Sequence, residues 1–511
     1  MRGTHAHVLF FIPRMPDCCK HFVTGGTLLA TEKQFRNLVL VLVCLFASVC
    51  CALAQHRTPL DTYVQTPDPH YHYELVETTQ LAHETVFHIR MVSQAWRTPA
   101  EVTQPEWSHW LEIYVPEKVI GSTGLLFITG GATRSQHPAP DAIFENMAQT
   151  TNSVIAELHN IPNEPFTFVG DPHGPRNEDS IIAYTWRRYL ETGDSTWPLR
   201  LPMTKAAVAA MNTVTSFMAG TPGGGHNVDH FVLAGASKRG WTVWTTAAVD
   251  PRVVAIAPMV IDVLHVVPSF EHHYRSYGFW ANSVKDYANE GLMDQLHSKR
   301  YRDLMKIEDP YSYRDRFTMP KLLILASGDQ FFLPDSSQFY FSQLPGEKHL
   351  LYEPNTDHSL RGSTAYADFT AFYLSVLRKT KRPNLRWSFG QNGTLRVETD
   401  GAPTKVVLWQ ATNPEHRDFR IESIGRAYHA TELKAVREGV YVAEIKAPIK
   451  GWSAFYVEAE FPGDSALPLR FTTEIKVLPN VEPYSYPRQG ITQLEPEPSS
   501  TRPNTAESKS R

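Results

Sequence analysis

Six short, almost unbroken apolar runs set the limits on what this chain can fold into. They span residues 125–128, 153–156, 229–234, 253–260, 321–326 and 348–352. A strand covered on one side alternates polar with apolar residues, whereas a continuous run belongs to a strand buried on both faces. Helical patterns separate several of the runs, near 143–151, 180–191, 205–218 and 238–250, and another follows at 364–378. Strands alternating with helices predict an α/β fold: a mostly parallel sheet with helices on both faces. Ahead of it, 87–92 and 110–115 carry β-branched and aromatic residues in partial alternation and read as further strands.

The texture changes twice along the chain. Residues of about 262–317 separate two of the buried strands, are helical in pattern over 283–305, and are rich in Tyr and His. They read as a lid inserted over a site, or equally as ordinary surface packing. Beyond the basic stretch 379–384, short alternating segments separated by turn residues run to about 480. That spacing predicts an antiparallel β-sandwich of immunoglobulin or fibronectin type over 383–480. The expected organisation is therefore an N-terminal extension and signal peptide (1–54), an α/β domain (55–380), the β domain, and a disordered tail (485–511) rich in Pro, Ser, Glu and Thr.

The 511 residues carry a formal net charge of −4 without a long run of one sign, which argues against a nucleic-acid surface. The five cysteines, Cys18, Cys19, Cys44, Cys50 and Cys51, all precede the folded body. That body can have no disulfide framework, no cysteine zinc site and no cysteine nucleophile. Lys33 and Arg36 precede an apolar stretch over 38–49, and Ala52-Leu53-Ala54 offers small residues before Gln55. This is the pattern of a secretory signal peptide, so a secreted or periplasmic protein without a stable membrane span after cleavage is expected; an uncleaved anchor is the alternative. Asn392-Gly393-Thr394 is a glycosylation sequon, meaningful only in a eukaryote. No cofactor or metal ligand set is read from the sequence.

Chemistry concentrates at three strand ends. Gly235-Ala236-Ser237-Lys238-Arg239-Gly240 lies between a buried strand and a helix. A serine at so sharp a turn is forced into a tight backbone conformation with its hydroxyl exposed. The second glycine comes one residue later than in G-x-S-x-G, and a helix N-cap is the competing role for Ser237. Ser327-Gly328-Asp329 follows the strand at 321–326, with Asp335 nearby as an alternative acid. Asp357-His358 follows the last strand of the α/β pattern. Serine, then acid, then histidine is the chain order of α/β hydrolases, and catalytic groups of open parallel sheets gather at these strand ends. In this reading Ser237 is the nucleophile, His358 the base and Asp329 its orienter. The N–H groups of Lys238 and of the Gly131 region, in the turn Gly130-Gly131-Ala132, would hold the oxyanion. Other polar groups receive blander readings: His272, His273 and Tyr274 as surface residues with lid lining as the alternative, Glu178-Asp179 as a helix start, and Trp186, Trp241 and Trp244 as core.

Several segments resemble one family. Residues 235–258 read GASKRGWTVWTTAAVDPRVVAIAP, residues 178–184 EDSIIAY, 202–205 PMTK, 309–313 DPYSY, 328–335 GDQFFLPD and 354–358 PNTDH. Together they are similar to the PhoPQ-activated pathogenicity-related proteins over roughly 70–480. That resemblance implies an α/β-hydrolase core, a C-terminal β domain and export, but no substrate. The Ser-Lys-Arg-Gly run is also locally similar to the elbow of glucuronoyl esterases, which implies an ester of an acidic substrate. Two functions follow as expectations. One is an exported serine hydrolase acting on an ester or amide of a small molecule or peptide. The other is a non-catalytic, secreted signalling or binding protein on the same fold, proliferation-repressor-like, with a protein receptor as partner.

Overall fold

The computed structural model describes residues 57–390, 393–464, 466–487 and 493–496. The expected signal peptide, all five cysteines, Asn392 of the sequon and most of the tail lie outside the described residues.

The α/β part contains nine strands: β1 (His72–Gln80), β2 (Glu84–Ala95), β3 (Glu106–Pro116), β4 (Thr123–Ile128), β5 (Ile155–Leu158), β6 (His230–Ala236), β7 (Val253–Met259), β8 (Lys321–Ala326) and β9 (Lys348–Glu353). Their order in the sheet is β1-β2-β3-β5-β4-β6-β7-β8-β9. Pairings from β5 through β9 are parallel, while β1, β2 and β3 join as an antiparallel flank. From β2 onward this is the strand order of the α/β-hydrolase sheet. The continuous apolar runs behave as expected, since β8 is buried at every residue and β4 and β6 nearly so. Apolar residues that alternate along each strand feed two separate cores, one on each face of the sheet.

No separate sandwich domain is shown. The C-terminal strands are β10 (Leu385–Phe389), β11 (Thr394–Thr399), β12 (Lys405–Asn413), β13 (His429–Glu432), β14 (Val440–Glu444), β15 (Trp452–Phe461), β16 (Leu469–Thr472) and β17 (Lys476–Leu478). β16 pairs antiparallel with β9, so β16, β15, β12, β13 and β17 extend the main sheet to fourteen strands among the described residues. The joint is made by Thr472, which lies opposite Leu350 and whose hydroxyl accepts from the Tyr352 N–H at 3.1 Å. Only β10, β11 and β14 form a second, antiparallel sheet. Leu395, Val397, Ala443, Phe455 and Val457 share one core, which packs that sheet onto the extension of the first.

The inserted segment is not one long helix. It starts with Val266–Tyr277, and the pattern over 283–305 breaks into Lys285–Asn289 and Lys299–Glu308 with one 3-10 turn, Met293–Gln295, between. Gly291, at φ 70°, ends the first piece, and the Ser298 hydroxyl caps the last by accepting from the Tyr301 N–H. Among the described residues no helix is long and apolar enough to cross a membrane.

Candidate active site

β4 and β6 are neighbours, with Ile128 opposite Gly235, so the turns after them leave the same edge of the sheet. Ser237 follows β6 directly at φ 58° and ψ −128°. A non-glycine residue there stores about 1–3 kcal/mol of strain. The surroundings hold it in place: the Ser237 N–H donates to the Met259 carbonyl at 2.8 Å, and its own carbonyl accepts from the Trp241 N–H at 2.9 Å. Ser237 stands at the N-cap position of the helix Lys238–Val249, yet its side chain makes no capping bond. The hydroxyl instead lies 2.9 Å from His358 Nε2.

The two glycines of the motif have separate steric causes. A Cβ on Gly235 would meet the Ile128 carbonyl oxygen at 2.9 Å and backbone of Arg239 at 3.2 Å. A Cβ on Gly240 would meet the Gly235 oxygen at 2.8 Å and the Met259 oxygen at 3.0 Å. The helix folds back against its own strand, and the sixth position is where backbone meets backbone. The fifth position is therefore free to carry Arg239.

On the other side of the imidazole, His358 Nδ1 lies 2.8 and 3.0 Å from the two oxygens of Asp329. Asp329 is fixed in turn, since its Oδ1 accepts the Phe331 N–H at 2.7 Å. The His358 N–H donates to the Gln330 side chain at 3.0 Å, and the Phe331 ring lies 4.3 Å from the imidazole. Ser237, His358 and Asp329 thus form one hydrogen-bonded chain from three strand ends. Asp335 lies elsewhere. It pairs with Arg417 Nη2 at 2.5 Å and His272 Nε2 at 2.9 Å, and these charges hold its carboxyl far below the usual range despite its burial.

Lys238 is the first residue of its helix, so its N–H has no intrahelical acceptor. Gly131 has φ 97° in the turn after β4, where no Cβ could be carried without strain. Asn160 clamps this turn by donating from Nδ2 to the carbonyls of Gly131 at 3.0 Å and Ala132 at 2.6 Å. Beneath it lies Arg239, so close that a Cβ on Gly130 would overlap the guanidinium at 2.0 Å.

A charge cluster that sequence reasoning missed surrounds the elbow. Arg239 grips Glu178 with both terminal nitrogens, at 2.9 and 3.0 Å, and donates from Nε to the Ile161 carbonyl. Lys238 Nζ lies 2.5 Å from Glu178 and 3.0 Å from Asp179. Burial opposes the charge on Glu178, but Arg239 and then Lys238 outweigh it and bring the carboxyl down to about 2. Glu178 also sits at φ 52° and ψ −127°, close to the Ser237 conformation. The signal available in sequence was a Lys-Arg pair after the serine and a Glu-Asp pair opening a helix.

The space beside Ser237 is small, about 30 Å³, and is lined by Trp241, Ile261, Phe270, Val284, Phe331 and Phe332, with Asp179 and Lys238 at its polar side. Phe270 and Val284 come from the inserted segment. Trp186 and Trp244 are buried in the core as expected. His272, His273 and Tyr274 are buried, not surface residues. His272 is drawn inward by Asp335 on one nitrogen and Glu482, at 2.6 Å, on the other. His273 Nε2 accepts the Ala281 N–H at 3.1 Å.

The family described as PhoPQ-activated pathogenicity-related protein matches residues 60–420. The chain belongs to that family. A relative, autocrine proliferation repressor protein A of Dictyostelium discoideum, is 36% identical over 480 residues, covering 88% of this chain and 95% of the relative. Among solved structures, acetyl xylan esterase 1 from Thermoanaerobacterium sp. is similar to this family member at 14% identity with a TM-score of 0.43, over 63% of this chain and 93% of the esterase. An acylaminoacyl peptidase of Pyrococcus horikoshii gives 12% identity and a TM-score of 0.38, over 61% of this chain and 50% of the peptidase.

Proposed function

We propose that this PhoPQ-related protein is an exported serine hydrolase acting on an ester or amide bond. The observation that carries the reading is the hydrogen-bonded chain Ser237–His358–Asp329, with the serine in a strained, half-buried turn. His358 takes the proton as Ser237 Oγ attacks the carbonyl carbon, and later returns it to the leaving group. Asp329, acting on Nδ1, fixes the tautomer that leaves Nε2 free to accept. Negative charge on the carbonyl oxygen is met by the N–H groups of Lys238 and the Gly131 turn, donors typically worth about 10²–10³ in rate each. The small apolar space suits a short acyl group, since it holds only one or two water-sized groups. Lys238 and Asp179 at its edge favour a polar alcohol or amine on the leaving side.

A second reading rests on the 36%-identical relative named as a proliferation repressor. Under it the fold serves signalling or binding, and the serine is idle. A fluorophosphonate probe separates the two. Labelling of the folded protein that disappears in Ser237→Ala supports the hydrolase, and a panel of esters from acetyl upward then grades the acyl size. A folded protein that takes no label supports the second reading.

A further inference from the structure

Strand register builds a row of charges across the antiparallel flank of the sheet. Glu77 lies opposite His88, His88 opposite Glu112, and Glu112 opposite Glu157, on strands β1, β2, β3 and β5. His88 and Glu112 are fully buried, and Glu157 is nearly so. Two carboxylates directly opposite one another repel, and in a buried position that repulsion is relieved by a proton on one of them or by a cation between or beside them. His159, the first residue past the end of β5, brings Nε2 to the same point, in contact with Glu112 Oε2 and 3.3 Å from Glu157 Oε2.

We propose that Glu112, Glu157 and His159 bind a divalent metal ion of the zinc type, with His88 and His137 arranged around the other oxygen of Glu112. The three donor atoms lie within 4.8 Å of one another, as do those of the group His88, Glu112 and His137. Glu112 Oε2 and His159 Nε2 are both buried, and neither makes a hydrogen bond of good geometry among the described residues, although they touch. The 3.3 Å separation of His159 from Glu157 is near the edge of roughly 3.4 Å in a tetrahedral zinc site with bonds near 2.1 Å, whereas His159 Nε2 and Glu112 Oε2 stand closer than such an edge and must move apart to admit the ion. Imidazole with carboxylate is a donor set for such borderline ions. The second nitrogen of His159 is engaged by Thr129 Oγ1 at 3.2 Å, which sets which nitrogen faces the carboxylates. His88 Nδ1 lies 3.4 Å from Glu112 Oε1, and its ring lies against that of His137, tilted by 32° at 3.8 Å between centroids. An ion can reach the cluster through a cavity of about 180 Å³ lined by His159, Trp110, Gly130 and Gly131.

That cavity links the ion to the turn after β4. Thr129 precedes the turn, and Asn160, next to His159, clamps it. A metal held here tightens the segment that presents the Gly131 N–H.

The test uses the full chain without a polyhistidine tag, loaded with zinc and dialysed against metal-free buffer. Elemental analysis is expected to find about one zinc per chain, and chelator to lower the melting temperature. Glu157→Gln and His159→Gln, checked for fold by circular dichroism, lose at least nine-tenths of the bound zinc. His230→Gln, an exposed histidine beside Asp229, keeps it. Folded wild type that retains less than a tenth of an equivalent overturns the proposal, as do the two variants binding zinc like wild type. In either case the cluster is an imidazolium held between two glutamates. Should a variant fail to fold, cobalt(II) loaded into wild type decides: visible d–d bands displaced by zinc support the site, and their absence refutes it.

Discussion

Replacing Arg239 tests how the elbow and the turn after β4 are held together. In Arg239→Ala the Ile161 carbonyl loses its buried donor, a loss of about 1–3 kcal/mol. Glu178 loses two charge-assisted bonds but keeps Lys238. Its side chain is 41% exposed, so solvent reduces that share to about 0–1 kcal/mol. Loss of the buried stem beneath Gly130 adds about 1 kcal/mol. The expected total is about 2–5 kcal/mol, read as a shift in urea midpoint at unchanged m-value. The Gly130-Gly131 turn also loses its floor, so the rate of fluorophosphonate labelling at Ser237 should fall at least tenfold even in the fraction that remains folded. Arg239→Met keeps the stem and separates packing from charge: it should recover the packing share of stability but not the labelling rate. Arg239→Ala within 0.5 kcal/mol of wild type, with unchanged labelling, would refute the argument, because a guanidinium bonded on three sides cannot be removed silently.

Three further outcomes are expected. Asp329→Asn leaves the fold intact but lowers the labelling rate by about 10⁴, because the amide stabilises the wrong imidazole tautomer; stopped labelling time courses measure it. Gly240→Ala forces a Cβ against two carbonyl oxygens, at 2.8 and 3.0 Å, and should destabilise by about 1–3 kcal/mol in urea unfolding. Asp262 is buried between the hydroxyls of Tyr340 and Tyr352, which donate to it at 2.6 and 2.9 Å. Burial pushes its carboxyl up to about 8, the tyrosine bonds only partly offsetting this. The folded state then keeps a proton that the unfolded state releases near pH 4. The stability this group gives is full below that pH and drains away, by at most about 1.4 kcal/mol per pH unit, until about pH 8. Asp262→Asn should remove that slope, and parallel pH profiles for the two proteins would show that the carboxyl is charged after all.

How much of this was legible in sequence depends on how far the deciding contact lies from the residues that make it. The buried strands announced themselves as continuous apolar runs, and Ser237, Asp329 and His358 each follow such a run, so their meeting at one sheet edge could be read from order alone. The pairing of Arg239 with Glu178 could not, since 61 residues separate them and each looks like a helix-terminal charge. His272 and His273 looked solvated because polar letters dominate their helix, and only Asp335 and Glu482, from distant segments, explain the burial of His272, while His273 is held by the Ala281 N–H. The C-terminal strands had the alternation of a free-standing sandwich. What joins five of them to the main sheet is the single pairing of β16 with β9, which alternation within either strand does not encode. His88, Glu112 and Glu157 come from three strands, and only the register that places them side by side makes a cluster of them.

Several contacts that the sequence did not reveal meet at the turn Gly130–Ala132. Arg239 supports it from beneath, Asn160 holds its carbonyls, and the His159 cluster anchors the strand end from which Asn160 departs. None of these residues belongs to the Ser, Asp, His pattern by which such a site is recognised. Under the proposed hydrolase reading, a family member that retains all three of those side chains would still lose acyl transfer if this turn, assigned there to the negative charge, relaxed. Conversely, a chain that keeps the Arg239–Glu178 grip and the Asn160 clamp maintains a fixed turn that a binding surface alone does not require. On that ground the geometry around Gly131, more than the serine itself, separates the hydrolase from the idle fold.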